Sequence, residues 1–139
     1  MKISAKVDYA CRSLLELALH WPDQSPLRVN AIAQKQGIPM KFLIHILIGL
    51  KERGLVKSMR GKKGGYLLAK PPQEISLSDL LRIFPNETNM ANSDGRQKNV
   101  TALIWQEINE SLFNTMKNIN FEDICTRARS HEKNFIYEI

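Results

Sequence analysis

The stretch Arg60-Gly61-Lys62-Lys63-Gly64-Gly65 sets three cations among three glycines and runs directly into Tyr66-Leu67-Leu68. Two chemistries fit that composition. A glycine-rich loop that opens a helix can cradle a phosphate on its backbone amides, whereas a glycine-rich hairpin tip carries its cations outward to a polyanion. The first fails here: G-x-x-x-x-G-K-[ST] is absent, and a strand-like segment follows where a helix is needed. The other reactive side chains offer less. His20, His45 and His131 have no Ser, Cys or paired-carboxylate pattern around them for nucleophilic or acid–base work, so no enzyme is expected. Cys11 and Cys125 are far apart, without the Cys-x-x-Cys spacing of a metal site.

The charge balance points the same way. The 139 residues carry a formal net charge of +6 and a pI of about 9.5. Residues 1–70 hold a net +9 and residues 71–139 a net −3. A basic front half meets a polyanion, and nucleic acid is the first candidate. No apolar run approaches the roughly 18–20 residues of a membrane span, and the first twenty residues are charged and amphipathic. A soluble cytoplasmic protein with no membrane partner is expected.

The elements that must hold the cations can be read from periodicity. Val7, Ala10, Cys11, Leu14, Leu17, Ala18 and Trp21 recur at helical spacing, with Cys11 on the inward face as a packed thiol. Pro22 and Pro26 end that helix. A second helix fits Val29 to Gln36, and Gly37 breaks it. Pro39 opens a third, which runs to about Arg53 and stops before Gly54. Met40, Leu43, Ile46, Leu47 and Leu50 are expected inward, with Lys41, Ile44, His45, Ile48 and Glu52 outward. Helix, glycine turn, helix is a helix-turn-helix pattern. Strands over 55–60 and 66–69, joined through Gly61–Gly65, then make it a winged helix.

Beyond the wing, Ile75 to Phe84 reads as a fourth helix, with Ser76 or Ser78 near its start. Residues 85–98 are polar and read as a mobile loop. A long helix is expected from about Asn99 to Asn118. Its Val100, Ile104, Ile108, Leu112 and Met116 recur every four residues and suit subunit pairing. A short helix over Phe121–Ala128 and an apolar tail, Phe135-Ile136-Tyr137-Glu138-Ile139, complete the chain. The expected fold is therefore mainly α with a small β-hairpin. A winged helix-turn-helix DNA-binding domain spans 1–84, a flexible loop 85–98, and a dimerisation helix with its tail 99–139.

The segments "MKISAKVDYACRSLLELA", "GLVKSMRGKKGGYLLAKPP" and "ALIWQEI" resemble the Rrf-two family of bacterial winged-helix regulators, the group of IscR, NsrR and CymR. The likeness covers nearly the whole chain, and the Gly-Leu-Val…Arg-Gly-x-x-Gly-Gly-Tyr-x-Leu block is its most specific part. The resemblance implies a homodimer on pseudo-palindromic promoter DNA, with repression the expected mode. It implies DNA contacts from the third helix through Lys41, Phe42 and His45, with Pro39 at its entry. It also places Arg60 in the minor groove, with Lys62, Lys63, Lys2, Lys6 and Lys57 on phosphates. Ile44 departs from the family, some of whose members carry an acidic reader there; isoleucine makes only apolar contacts, either to a thymine methyl, for example, or, together with Ile48, by packing against a neighbouring helix.

Many relatives of this type hold an iron–sulfur cluster on three loop cysteines. The matching loop here, 85–99, has none: the third cysteine position is Asn99, and the histidine used by some members falls on Ala102. Asp8 matches a position where some members supply a carboxylate ligand, but one Asp cannot replace several thiolates. No cofactor and no metal site are expected, and the apolar end resembles the cluster-free CymR branch. The input stays open between a small molecule, a partner protein, oxidation of Cys125 (a candidate accessible thiol near the C-terminus) and no signal at all. The rival reading is a protein-interaction module that keeps the winged fold and works through a partner protein.

Overall fold

A computed structural model of the chain describes residues 3–84 and 99–138, with side chains to residue 132. Helix α1 spans Ala5–His20, α2 Val29–Gln36 and α3 Met40–Glu52. Strands β1, Val56–Met59, and β2, Gly65–Leu68, follow. After a 3-10 turn at Pro72–Glu74 come α4 Leu77–Ile83, α5 Val100–Lys117 and α6 Phe121–Glu138. The expected loop 85–98, Lys2 and the side chains of the apolar tail lie outside the described residues. No described helix is long and apolar enough to cross a membrane.

Local chemistry sets the boundaries. Ser4 caps α1 by accepting the Val7 N–H. Gly37 ends α2 in the left-handed conformation at φ 63°, where a side chain would be strained. Ser76 and Asp79 form a reciprocal capping box on α4. Asn99 caps α5, its Oδ1 accepting the Ala102 N–H at 2.8 Å. Helix α6 runs on through Glu138, ten residues past the expected end at Ala128. Its terminal segment is apolar but not helix-breaking, which is why composition alone read it as a tail.

The core gathers Leu14 and Leu17 from α1, Leu43, Leu47 and Leu50 from α3, Val56 and Leu68 from the sheet, and Leu80 from α4. Phe121 and Cys125 of α6 join it with no exposed surface, so the last helix packs back on the body against α1. Cys125 is therefore not the accessible thiol expected near the C-terminus. Met40 is the other correction: it was expected inward but is exposed, because it opens α3 on the flank facing the hairpin, where no described element covers it.

A polar clamp fixes α1 on α2. Glu16 is only 6% exposed; it accepts from Gln36 Nε2 at 2.5 Å and lies 3.2 Å from Lys35 Nζ. One turn earlier, Arg12 donates to the Gln36 carbonyl at 2.7 Å, satisfying an end carbonyl of α2. Both grips hold the C-terminal end of α2, the end that feeds the turn into α3.

Candidate nucleic-acid interface

Helix α3 turns its core face inward and leaves Lys41, Ile44, His45, Ile48 and Glu52 exposed. Pro39 stands exposed as its N-cap. Two open grooves flank the helix. One, about 740 Å³, lies between α3 and the start of α1 and is lined by Lys6, Tyr9, Lys41, Phe42 and His45. The Tyr9 and Phe42 rings lie 6.4 Å apart there. Lys6 sits 5.4 Å over the Phe84 ring, so its ammonium is partly held on the protein rather than reaching freely outward.

The other groove, about 730 Å³, separates α3 from the wing and is lined by Arg28, Asn30, Met40, Met59 and Lys62. The wing is an antiparallel pair in the register Val56–Leu68 to Met59–Gly65. Gly61, Lys62 and Lys63 form its exposed tip, closed by the Gly64 N–H donating to Gly61 O at 2.9 Å. Lys57 and Arg60 are also exposed. Among the sequence-predicted contacts, Lys2 alone lies outside the described residues.

Sequence reading missed what aims the wing. Leu27 pairs with Tyr66 on the outer side of β2, with N–H···O distances of 2.9 and 2.8 Å. Arg28 donates to the Lys62 carbonyl at the tip. The linker before α2 thus adds a one-residue β-bridge to the edge of β2 and ties the wing to the helix-turn-helix. A single apolar residue between Pro26 and Arg28 carries no period-two pattern, so periodicity could not find it. The signal lay in the glycines. A Cβ on Gly65 would collide with the Leu27 carbonyl, and one on Gly64 with the Met59 carbonyl.

The cysteines are ill placed for redox or metal chemistry. Burial, then the Asp8 charge, pushes the Cys11 thiol up to about 12. Burial also raises Cys125, with Arg129 opposing and Glu122 adding. Asp8 is exposed and lies 3.2 Å from Arg12 Nε. Asn99 and Ala102 are joined by the α5 cap. No described group of three or more His, Cys, Asp or Glu could hold a metal ion, and the undescribed loop contains no cysteine. The donor set therefore does not fit an iron–sulfur cluster.

Helix α5 is built differently from the rest. None of its residues is buried, although it packs on α4 through one side. Val100 is 73% exposed, and Ile104, Trp105 and Ile108 are each about half exposed. Leu112 and Met116 are half-buried. Four-residue spacing advances about 40° per step on an α-helix. The predicted stripe therefore winds from solvent at Val100 toward the body at Met116.

A helix-turn-helix whose second helix is flanked by a basic wing defines a winged-helix protein. Residues 3–127 match the family model described as "Rrf2: Iron-dependent Transcriptional regulator". The chain belongs to the Rrf2 family and is a transcriptional regulator of the helix-turn-helix type. It is 34% identical to a protein of Synechocystis sp. named as an HTH-type transcriptional regulator, over 94% of this chain and 91% of that one. Among solved structures, T. potens IscR superposes with a TM-score of 0.78 at 30% identity, over 92% of this chain and 88% of that one. CymR, titled the global cysteine regulator of B. subtilis, gives 0.81 at 26% identity, over 91% and 98%.

Proposed function

We propose that this regulator binds a pseudo-palindromic promoter site as a homodimer, with α3 in the major groove and the wing along the adjacent minor groove. One observation carries the reading. Lys41, His45, Lys57, Arg60, Lys62 and Lys63 are all exposed on α3 and the hairpin beside it, and none of them joins an ion pair among the described residues. The lysines and the arginine of this set, free on a rigid frame, attract phosphates and release counterions on binding. Arg60, where β1 passes into the tip, is suited to a narrow minor groove. The apolar, unburied side of α5 supports pairing between two copies.

The protein works without an iron–sulfur cluster, despite the family's description. Its potential ligand positions are spent otherwise: Asn99 on a helix cap and Asp8 on Arg12. The input is then a small molecule or a partner protein rather than iron. Iron and acid-labile sulfide analysis of anaerobically purified protein is expected to find neither; stoichiometric amounts would overturn this part.

The DNA reading is tested by a gel shift on the protein's own promoter region at several salt concentrations. Arg60→Ala is expected to weaken the specific complex by about 1–3 kcal/mol while leaving the fold intact. Unchanged affinity for the folded variant would remove the wing from the interface.

A further inference from the structure

The exposed large apolar residues are not scattered. Outside α5, those on the described surface are Ile3, Met40, Phe42, Ile44, Ile48 and Met59. Five of these six sit on α3 or on the wing. Met40, Ile44 and Ile48 form one row at four-residue spacing along α3, exposed by 43%, 45% and 45%. The row spans about 12 Å at 1.5 Å per residue, the length of three to four stacked base pairs. Beside it runs a second row, Lys41 and His45.

A packing role within the chain does not account for the first row. Leu43, Ile46, Leu47 and Leu50 already fill the core side of the helix, each at most 1% exposed. Ile44 and Ile48 take no part in the core cluster. Around the row stand Lys41 and His45 on the same helix, Lys62 across the groove that Met40 lines, and one acid, Glu52, a turn past Ile48. A protein interface also sets an apolar centre inside a polar rim, so the ring alone does not choose the partner; the place of the row, on the second helix of the helix-turn-helix beside the basic wing, favours DNA. A DNA major groove offers both things at once: phosphates for the cations and, on thymine, a C5-methyl group for an apolar side chain.

We infer that Ile44 and Ile48 are specificity-determining residues that read thymine C5-methyl groups in the major groove of each half-site, in place of a hydrogen-bonding reader at position 44. The inference rests on the DNA-reading function proposed above. Isoleucine can neither donate nor accept a hydrogen bond, so all its discrimination must come from the methyl and from excluding water. The recognised half-site then contains at least one thymine whose methyl matters and whose hydrogen-bonding edge does not.

The test removes one methyl at a time. The preferred site is selected from random-sequence duplexes with the full-length protein. Each half-site thymine is then replaced by deoxyuridine, which keeps base pairing and loses only the methyl. At one or more positions the wild type is expected to bind about 4-fold more weakly per half-site, and about 15-fold when both half-sites are changed. Ile44→Ala or Ile48→Ala should weaken binding to the thymine site and erase the difference between thymine and deoxyuridine, while Ile44→Val should keep part of it. Both side chains are exposed, so these variants should retain the wild-type melting temperature, which serves as the folding control. A selected site insensitive to deoxyuridine at every thymine would overturn the methyl readout and leave the DNA-binding function standing. An Ile44→Ala, Ile48→Ala double variant with unchanged affinity and an unchanged thymine preference would overturn it too, and would assign the row to a protein partner. Failure to select any sequence would sink both the inference and the function beneath it.

Discussion

At the scale of the residue, two glycines of like appearance do opposite things. Gly65 lies against the Leu27 backbone, and a Cβ there would overlap the Leu27 carbonyl. Gly65→Ala is expected to cost about 1–3 kcal/mol, read by chemical unfolding, because overpacking must push the linker off β2. Gly49 sits inside α3 with nothing within 4 Å of where a Cβ would go. Gly49→Ala should instead stabilise the free protein by roughly 0.5–1 kcal/mol in the same assay, since it removes backbone freedom from the unfolded chain. Cys11 adds a pH signature. Its thiol ionises near pH 9 when unfolded but is pushed up to about 12 when folded. Above pH 9 the unfolded chain binds fewer protons than the native one, so this contribution to stability is complete below pH 9 and is lost as pH rises toward 12. Between pH 8 and 10 the wild type should lose about 1 kcal/mol more than Cys11→Ala.

At the scale of the element, the wing is a lever whose direction is set from outside itself. Two strands of four residues are marginal alone. Pairing with Leu27 and the Arg28 bond to the tip turn them into a fixed extension of the helix-turn-helix. The clamp of Arg12 and Glu16 on α2 extends that rigidity to α1. On the proposed DNA-binding reading, the lysines at the tip are phosphate contacts at a defined distance from α3. Replacing Lys62 and Lys63 together by alanine is expected to lower the slope of log affinity against log salt by about 2 for each bound wing, and to weaken specific and non-specific DNA alike. A change confined to the specific site would show that these lysines read bases instead.

At the scale of the whole molecule, α5 is a helix that the single chain does not bury. Val100, Ile104, Trp105 and Ile108 form an apolar surface that another copy of the chain can cover. Ile104→Asp, or Ile108→Asp, is expected to shift the protein from dimer to monomer in sedimentation velocity runs at micromolar concentration. Operator affinity should fall with it, because two half-sites can then no longer be held at once. The fold should persist, since neither residue belongs to the core.

The sequence by itself determined most of the elements and named the residues of the candidate interface. Helical spacing located α1 to α5, since amphipathic helices write their buried face into a 3.6-residue period. The glycine-and-lysine block marked the wing, because tight turns and free cations both depend on residue type. The cysteine-free loop fixed the donor set on composition alone. What only the tertiary structure decided depends on contacts between segments distant in the chain. Leu27 became a bridge to the wing through its pairing with Tyr66, 39 positions away. Cys125 became a core residue because α6 returns to α1. Met40 left the core because the flank of α3 it occupies faces the wing across an open groove. Ile44 and Ile48 could be placed outward by periodicity, but only packing showed that no described helix covers them. An apolar side chain pointing away from its own helix's core is buried or exposed according to what stands opposite, and that is a property of the assembled fold.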